Sequence, residues 1–350
     1  MDKQNVSRLS SKLFIGESQI HPPVIAAPMA GYSDIPTRVL NHRFGAGMSV
    51  TEMVSAKALV SNDPNTMERL TIHPEEKKVG IQIFGSDPGI LGEAVQKISD
   101  RLTPTCVDLN MGCPVKKISR GGHGAALMAD PDKVYRILRA MVQASPLSIT
   151  VKIRSGPQRD TVNFLEVGLA AQEAGVLAVT IHPRTRTQGF DGLADWTEIA
   201  LLKQHLRIPV IGNGDIFSLA DGLSMMRQTG CDGIMVGRGA VGNPWLFRQF
   251  EDHFDLQNGF TKPLVADRWK VAREHFSLES MYSRNPERAY LRVRKSLTEY
   301  FSDLSDYDEI VASIREATSN DELALSLEQL ELNSLRITRD PQGELYSRNS

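Results

Sequence analysis

The sequence predicts an α/β fold, a (β/α)8 TIM barrel followed by a small C-terminal helical domain. Three observations predict it. Eight short apolar runs are each bounded by Gly, Pro or Asp, stretches with helical spacing lie between them, and polar residues gather where the runs end. The runs, in order, are Val24–Ala27, Met48–Thr51, Val79–Ile83, Val107–Asn110, Ile149–Ile153, Ala178–Ile181, Pro209–Gly212 and Gly233–Val236. Each has the length of a strand buried on both faces, as a parallel sheet covered by helices requires. Between them, Ile90–Ile98 and Phe164–Ala170 repeat apolar residues at helical intervals. A doubly wound open sheet competes, but it calls for a G-x-G-x-x-G turn after the first strand, and that turn here reads Pro28-Met29-Ala30-Gly31.

Length and composition fit this architecture. A chain of 350 residues with 41% hydrophobic content holds one barrel of about 250 residues and an appendage. The predicted organisation is a catalytic barrel over residues 1–250, a helical domain over 251–335 and a flexible tail over 336–350. In the helical part, Phe276, Leu278, Met281, Leu291, Val293, Leu297, Tyr300 and Phe301 are the expected core. The first residues have no signal-peptide character and no run of about 18 apolar residues follows, so a cytoplasmic protein away from membranes is expected. A monomer is expected.

Net charge is −2, so composition does not advertise a polyanion partner. The charge is unevenly spread, however. Residues 261–300 carry nine Lys/Arg against five Asp/Glu, and residues 301–350 carry four against eleven. The acidic tail hides a basic segment suited to phosphates. A solvated helical face explains it as well.

In a barrel of this kind, chemistry sits where the strands end, so the run-terminal residues form one ring. That ring reads Pro28, Met29 and Ala30; Glu52; Gln82; Asn110 with Cys113; Lys152 with Arg154; His182 with Arg184; Asn213, Gly214 and Asp215; and Gly237 with Arg238. The last two turns, rich in glycine and ending in Arg238, suit a phosphate held by backbone N–H groups and a guanidinium. Cys113 sits in the turn Asn110-Met111-Gly112-Cys113-Pro114, whereas Cys106 and Cys231 lie inside apolar runs and read as core. The three cysteines lack paired C-x-x-C spacing, so no metal site and no disulfide framework is expected. Lys152 is open to two readings, a Schiff-base amine or a cation facing a negatively charged cofactor. Gln82, Asn213 and the phosphate turn favour the second, and the set suits flavin mononucleotide (FMN) across the barrel mouth.

These segments resemble those of the tRNA-dihydrouridine synthases, above all the bacterial B-type branch. The resemblance is carried by Ala26–Gly31, Asn110–Pro114 with Lys116 and Lys117, Val151–Arg154, Ile181–Thr185, Gly212–Asp215 and Met235–Arg238, in register over about residues 15 to 250. It implies an FMN-dependent barrel that reduces uridines in tRNA to 5,6-dihydrouridine with NADPH, or NADH, as reductant. It further implies a helical domain that grips tRNA. The implied FMN-binding residues are Pro28, Met29, Ala30, Gln82, Lys152, His182, Asn213, Gly214, Asp215, Gly237 and Arg238. Cys113 is implied as the proton donor. Two departures stand out: Pro183 replaces a small residue of the His-x-Arg motif, and Arg294–Tyr300 lacks the Lys-His and Trp-Tyr pairs of many relatives.

Uracil has a C5=C6 bond conjugated with its C4 carbonyl, so hydride addition at C6 leaves an enolate to be protonated at C5. A thiol ordinarily titrates near about 8.5 and is protonated at neutral pH, hence available as that acid. The base must leave the folded RNA to reach a barrel mouth. Asn110 and Arg184 are the expected pocket contacts, and Lys116 and Lys117, ahead of a glycine-rich loop ending at Gly124, are expected on RNA phosphate. Two alternatives stay open. A flavin oxidoreductase for a free dihydroorotate- or enone-type molecule would turn over without RNA. A non-catalytic RNA-binding barrel would purify colourless.

Overall fold

The structure, a computed structural model, describes residues 12–255, 262–282 and 285–337, with the backbone alone at Lys116, Lys117 and 335–337. Of the tail predicted over 336–350, residues 338–350 lie outside the described residues. The chain divides into two compact units, Met1–Ala240 with Leu246–Asn258 and Val241–Trp245 with Gly259–Ser350.

In the first unit, a hairpin of β1 (Leu13–Ile15) and β2 (Ser18–Ile20) precedes the sheet. The barrel strands are β3 (Val24–Ala26), β4 (Met48–Val50), β6 (Val79–Phe84), β7 (Cys106–Met111), β8 (Ile149–Arg154), β9 (Ala178–His182), β10 (Val210–Asn213) and β11 (Gly233–Val236), with a two-residue β5 (Val54–Ser55) added on β6. All pair in parallel, and the β3–β11 and β4–β6 pairings close the circle. Helices alternate with them: α1 (Ile35–Arg43), α2 (Ala56–Val60), α3 (Pro64–Arg69), α4 (Pro88–Ser99), α5 (Lys116–Ser119), α6 (Pro131–Ala144), α7 (Phe164–Ala174), α8 (Trp196–His205), α9 (Leu219–Thr229) and α10 (Trp245–Phe254). Four of them start after an aspartate that caps the helix with its side chain and is followed at once or one residue later by proline: Asp34, Asp63, Asp87 and Asp130. The carboxylate satisfies an otherwise orphan N–H, and proline fits where no N–H partner is needed.

Strand alternation splits the core in two. Val107, Leu109, Met111, Val151, Ile153, Val179 and Ile181 face the helices, while Ile25, Met48, Cys106, Ala178 and Ile211 face inward and meet Leu13, Ile15 and Ile20 of the hairpin. The hairpin therefore plugs the end where the strands begin. Polar residues farther along the same strands are left to line the other end.

The second unit comprises α11 (Val265–Tyr282), α12 (Ala289–Glu299), α13 (Tyr307–Glu316) and α14 (Asn320–Ile337). Trp269 stacks on Phe301 at 3.9 Å, and Leu278, Val293, Leu297, Ile310, Ile314 and Leu323 are buried with them. Two expected core residues are corrected: Met281 and Leu291 are 65% and 46% exposed. Trp269, absent from the expected core, occupies it instead. Among the described residues, no helix is long and apolar enough to cross a membrane.

Candidate active site

Strand register decides which polar side chains meet. Gln82 pairs with Asp108 across β6 and β7, Asn110 with Lys152 across β7 and β8, Arg154 with His182 across β8 and β9, and Asn213 with Met235 across β10 and β11. Residues at equal height on neighbouring strands thus point into one cavity of about 460 Å³. Pro28, Met29, Ala30, Gln82, Asn110, Cys113, Lys152, His182, Asn213, Gly214, Asp215, Gly237 and Arg238 all line it. Of the expected site residues, Arg184 does not. The side chains of Lys116 and Lys117 are outside the described residues. Arg154, placed in the strand-end ring without a role, lines the cavity, as do Tyr32 and Phe190, which the sequence reading did not name.

Cys113 is half-buried, whereas Cys106 and Cys231 are buried. Burial pushes the Cys106 thiol up to about 12, with the nearby Asp108 charge adding to it. Asn110 Oδ1 accepts from the backbone N–H groups of Gly112 (3.2 Å) and Cys113 (3.0 Å), forming an Asx turn that holds the thiol's backbone. Arg154 Nε donates to Gly112 O at 2.7 Å, and its Nη1 donates to Thr185 O and Gly189 O at 3.1 and 2.7 Å. That guanidinium ties the thiol turn to the loop after β9.

Lys152 Nζ donates to Asn213 Oδ1 at 2.8 Å, and Asn213 Nδ2 donates to Met235 O at 2.8 Å. Burial, reinforced by the Arg154 charge and opposed by Asp108, brings the Lys152 ammonium down to about 7. His182 is pushed far below the usual histidine range, first by burial and then by the charges of Lys152, Arg154, Arg184 and Arg238. It is neutral at any working pH. Arg184 Nη1, a donor only, lies 3.0 Å from His182 Nε2, so Nε2 accepts and the ring proton is on Nδ1.

The remaining cations order the rim. Arg184 is 2% exposed and binds both oxygens of Asp215 at 2.8 and 2.7 Å. Its guanidinium is thereby spent inside the wall rather than offered to a ligand. Asp215 also accepts from Ala194 N at 2.7 Å and from Arg238 at 3.3 Å. Its φ of 55° is left-handed, a conformation aspartate tolerates. Gly214 at φ 124° needs glycine doubly, since a Cβ there would lie 3.0 Å from His182 Cδ2. Arg238 is half exposed, with its guanidinium 5.0 Å from the Phe190 ring centre and 5.5 Å from that of Phe217.

Three cations, Lys152, Arg154 and Arg238, line a cavity whose one lining carboxylate among the described residues, Asp215, is paired with Arg184. It calls for an anionic ligand. Among the described residues, no group of three or more His, Cys, Asp or Glu is placed to hold a metal.

Asp108 is the group sequence reading missed. It is 3% exposed and accepts from Gln82 Nε2 (2.8 Å) and Thr150 Oγ1 (2.7 Å). Burial raises its carboxyl above the usual range against the pull of those bonds and of Lys152. An acidic residue inside the apolar run Val107–Leu109 was the available signal, because burying a charge without partners is costly.

Comparison with known proteins agrees with this geometry. The family model described as Dihydrouridine synthase (Dus) matches residues 24–335. A probable tRNA-dihydrouridine synthase of Rickettsia conorii is 36% identical over 263 residues, 75% of this chain and 79% of the relative. One from Mycobacterium tuberculosis is 33% identical over 342 residues, 95% and 88% of the two chains. The tRNA-dihydrouridine synthase B of Pasteurella multocida is 38% identical over 261 residues, 75% and 78%. Among solved structures, a 2-naphthoyl-CoA reductase in complex with 2-naphthoyl-CoA superposes with a TM-score of 0.56 at 10% identity, over 70% of this chain and 52% of that one. This chain spans about half the length of that structure, and the likeness shows the barrel fold alone. The match over most of the sequence, on a closed parallel barrel, makes this chain an enzyme of the dihydrouridine synthase family.

Proposed function

We propose that this enzyme reduces uridine in tRNA to 5,6-dihydrouridine, using FMN and taking its electrons from NADPH, with NADH a second possible reductant. The observation that carries the reading is the pairing, in one cavity, of a half-buried thiol with a surplus of positive charge around a neutral histidine. The donor set suits FMN. Backbone at Gly214, Gly237 and Gly239 with Arg238 matches a phosphate, and Pro28, Met29, Ala30 and Met235 offer an apolar bed for a flat ring. When bound, FMN supplies the hydride for C6 of the uracil.

The chain's own residues do the rest. Lys152, anchored by Asn213, opposes negative charge on the ring system beside it. His182 offers an Nδ1–H donor and no charge. Asn110, with Oδ1 occupied by two backbone N–H groups and one Nδ2 hydrogen given to Gln82, keeps one N–H for a carbonyl oxygen. Cys113 Sγ–H delivers the proton to C5 as the enolate collapses, leaving a thiolate that solvent reprotonates. The helical unit and the Lys116–Lys117 segment bind the tRNA. The enzyme works as a monomer in the cytoplasm, where its substrate is.

The test is turnover with purified enzyme, FMN, NADPH and unmodified tRNA, followed by mass-spectrometric mapping. Dihydrouridine at defined positions, one per NADPH consumed, is expected. Turnover of dihydroorotate or an enone without RNA, and none with tRNA, would replace this reading with a small-molecule reductase.

A further inference from the structure

A line of hydrogen bonds runs from the thiol turn into the barrel: Gly112 and Cys113 N–H to Asn110 Oδ1, Asn110 Nδ2 to Gln82 Oε1 (2.8 Å), Gln82 Nε2 to Asp108 Oδ2 (2.8 Å), and Thr150 Oγ1 to Asp108 Oδ1 (2.7 Å). The direction of each bond from the turn to Asp108 is forced. Backbone N–H groups only donate, so Asn110 must turn its oxygen to them and its nitrogen to Gln82. Gln82 must then present oxygen to Asn110 and nitrogen to Asp108. If both amides turned over, Asn110 would aim N–H at N–H and the Asx turn would be lost. The line ends in a carboxylate that is 3% exposed and receives a donor on each oxygen.

We propose that Asp108 is the positioning residue of the catalytic thiol: as the acceptor at the far end of the line, it locks the orientations of Gln82 and Asn110, and through them the turn that presents Cys113. This rests on the reading of Cys113 as the reacting acid. Asp108 is not among the cavity-lining residues and acts only through the two amides. Buried polar chains of this kind stiffen what they hold when every member is satisfied. Misplacing a reacting group by about 1 Å costs on the order of a hundredfold in rate.

Two substitutions separate positioning from charge. In Asp108→Asn the new amide oxygen accepts from Gln82, and the Thr150 hydroxyl rotates to accept from the new amide nitrogen. The line survives while the negative charge near Lys152 is lost. In Asp108→Val the line has no end. Iodoacetamide labelling of Cys113, followed by mass spectrometry in the flavin-free protein, reads the turn without any turnover. Asp108→Asn is expected to label at the wild-type rate and to keep kcat within about threefold. Asp108→Val is expected to label several-fold faster and to lose about tenfold or more in kcat at unchanged KM for tRNA. Equal labelling of wild type and Asp108→Val overturns the proposal, as does an Asp108→Asn variant as impaired as Asp108→Val. If Asp108→Val does not melt cooperatively, Gln82→Met breaks the line one step nearer the turn and must speed labelling in the same way; unchanged labelling there overturns the proposal too. A wild type that forms no dihydrouridine would defeat the proposed function while leaving the labelling comparison intact.

Discussion

Lys152 is half-buried in the barrel wall with its ammonium on Asn213 Oδ1, and desolvation there brings its proton affinity down to about 7. In the ligand-free protein at pH 8 it is therefore mostly neutral. Negative charge on the ring system of reduced FMN restores the ammonium, so binding reduced FMN anaerobically at pH 8 is expected to take up about one proton that Lys152→Met does not take up. At pH 6 wild type and variant should differ little, because Lys152 is already charged. Calorimetry in buffers of different ionisation enthalpy measures this, and equal uptake by the two proteins at pH 8 would remove Lys152 from the anion site. The same shift acts on stability. The unfolded chain holds its lysine proton up to about 10, so over pH 7 to about 10 it binds more protons than the folded one, and Lys152 makes the ligand-free fold more stable as pH rises. At Cys113 the prediction is a split of half-reactions. Cys113→Ala should retain flavin and NADPH oxidation yet lose at least about a hundredfold in dihydrouridine formation, within the range removal of a general acid costs. Unchanged modification would strip the thiol of its role. Sequence reading singled out both residues because Lys152 lies near the end of an apolar run and Cys113 in the turn just past one. It passed over Asp108, which sits mid-run, where its meaning depends on Gln82 and Thr150 from strands far away in sequence.

Elements explain which parts of the barrel could be read. Buried parallel strands are short apolar runs closed by glycine or proline, so β3, β4 and β6 to β11 stood out from composition alone. The hairpin β1–β2 did not, because its strands have three residues each with a polar or exposed centre. Only its docking on Ile25, Cys106 and Ile211 makes it structure. Arg184 marks the opposite limit: its strand-end position was legible, but the bidentate bond to Asp215 arises from the loop after β10. The turns after β10 and β11 also touch backbone to backbone. A Cβ on Gly239 would lie 2.2 Å from Ile216 O and 2.8 Å from Phe217 Cα, neither of which can swing aside like a side chain. Gly239→Ala must therefore push apart the two loops proposed to hold the phosphate. We expect a loss of about 1–3 kcal/mol in stability, as for other overpacked sites. FMN affinity should fall at least about tenfold, with riboflavin affinity little changed, because riboflavin lacks the phosphate. Equal losses for both ligands, measured by fluorescence titration, would place the phosphate elsewhere.

At the scale of the whole molecule, a net charge of −2 gives tRNA no general attraction, so affinity must come from local cations. Two regions are proposed to supply them: the Lys116–Lys117 pair at the start of α5, next to the cavity-lining Pro114 and Val115, and residues 261–300 with their balance of +4. Each phosphate contact releases condensed counterions, so the logarithm of the association constant falls with the logarithm of salt by roughly 0.7–0.9 per contact. Lys116→Ala with Lys117→Ala should flatten that slope by about 1–2 while leaving FMN binding intact. Lys270→Ala with Arg288→Ala, both exposed on the helical unit, should flatten it by a similar amount. If the regions contact separate phosphates, the quadruple variant loses the sum, whereas shared phosphates give less than the sum. Filter binding from about 50 to 200 mM salt resolves these cases. A slope that none of the variants changes would mean that neither region reads the RNA backbone, and the tRNA would have to be held by uncharged contacts alone.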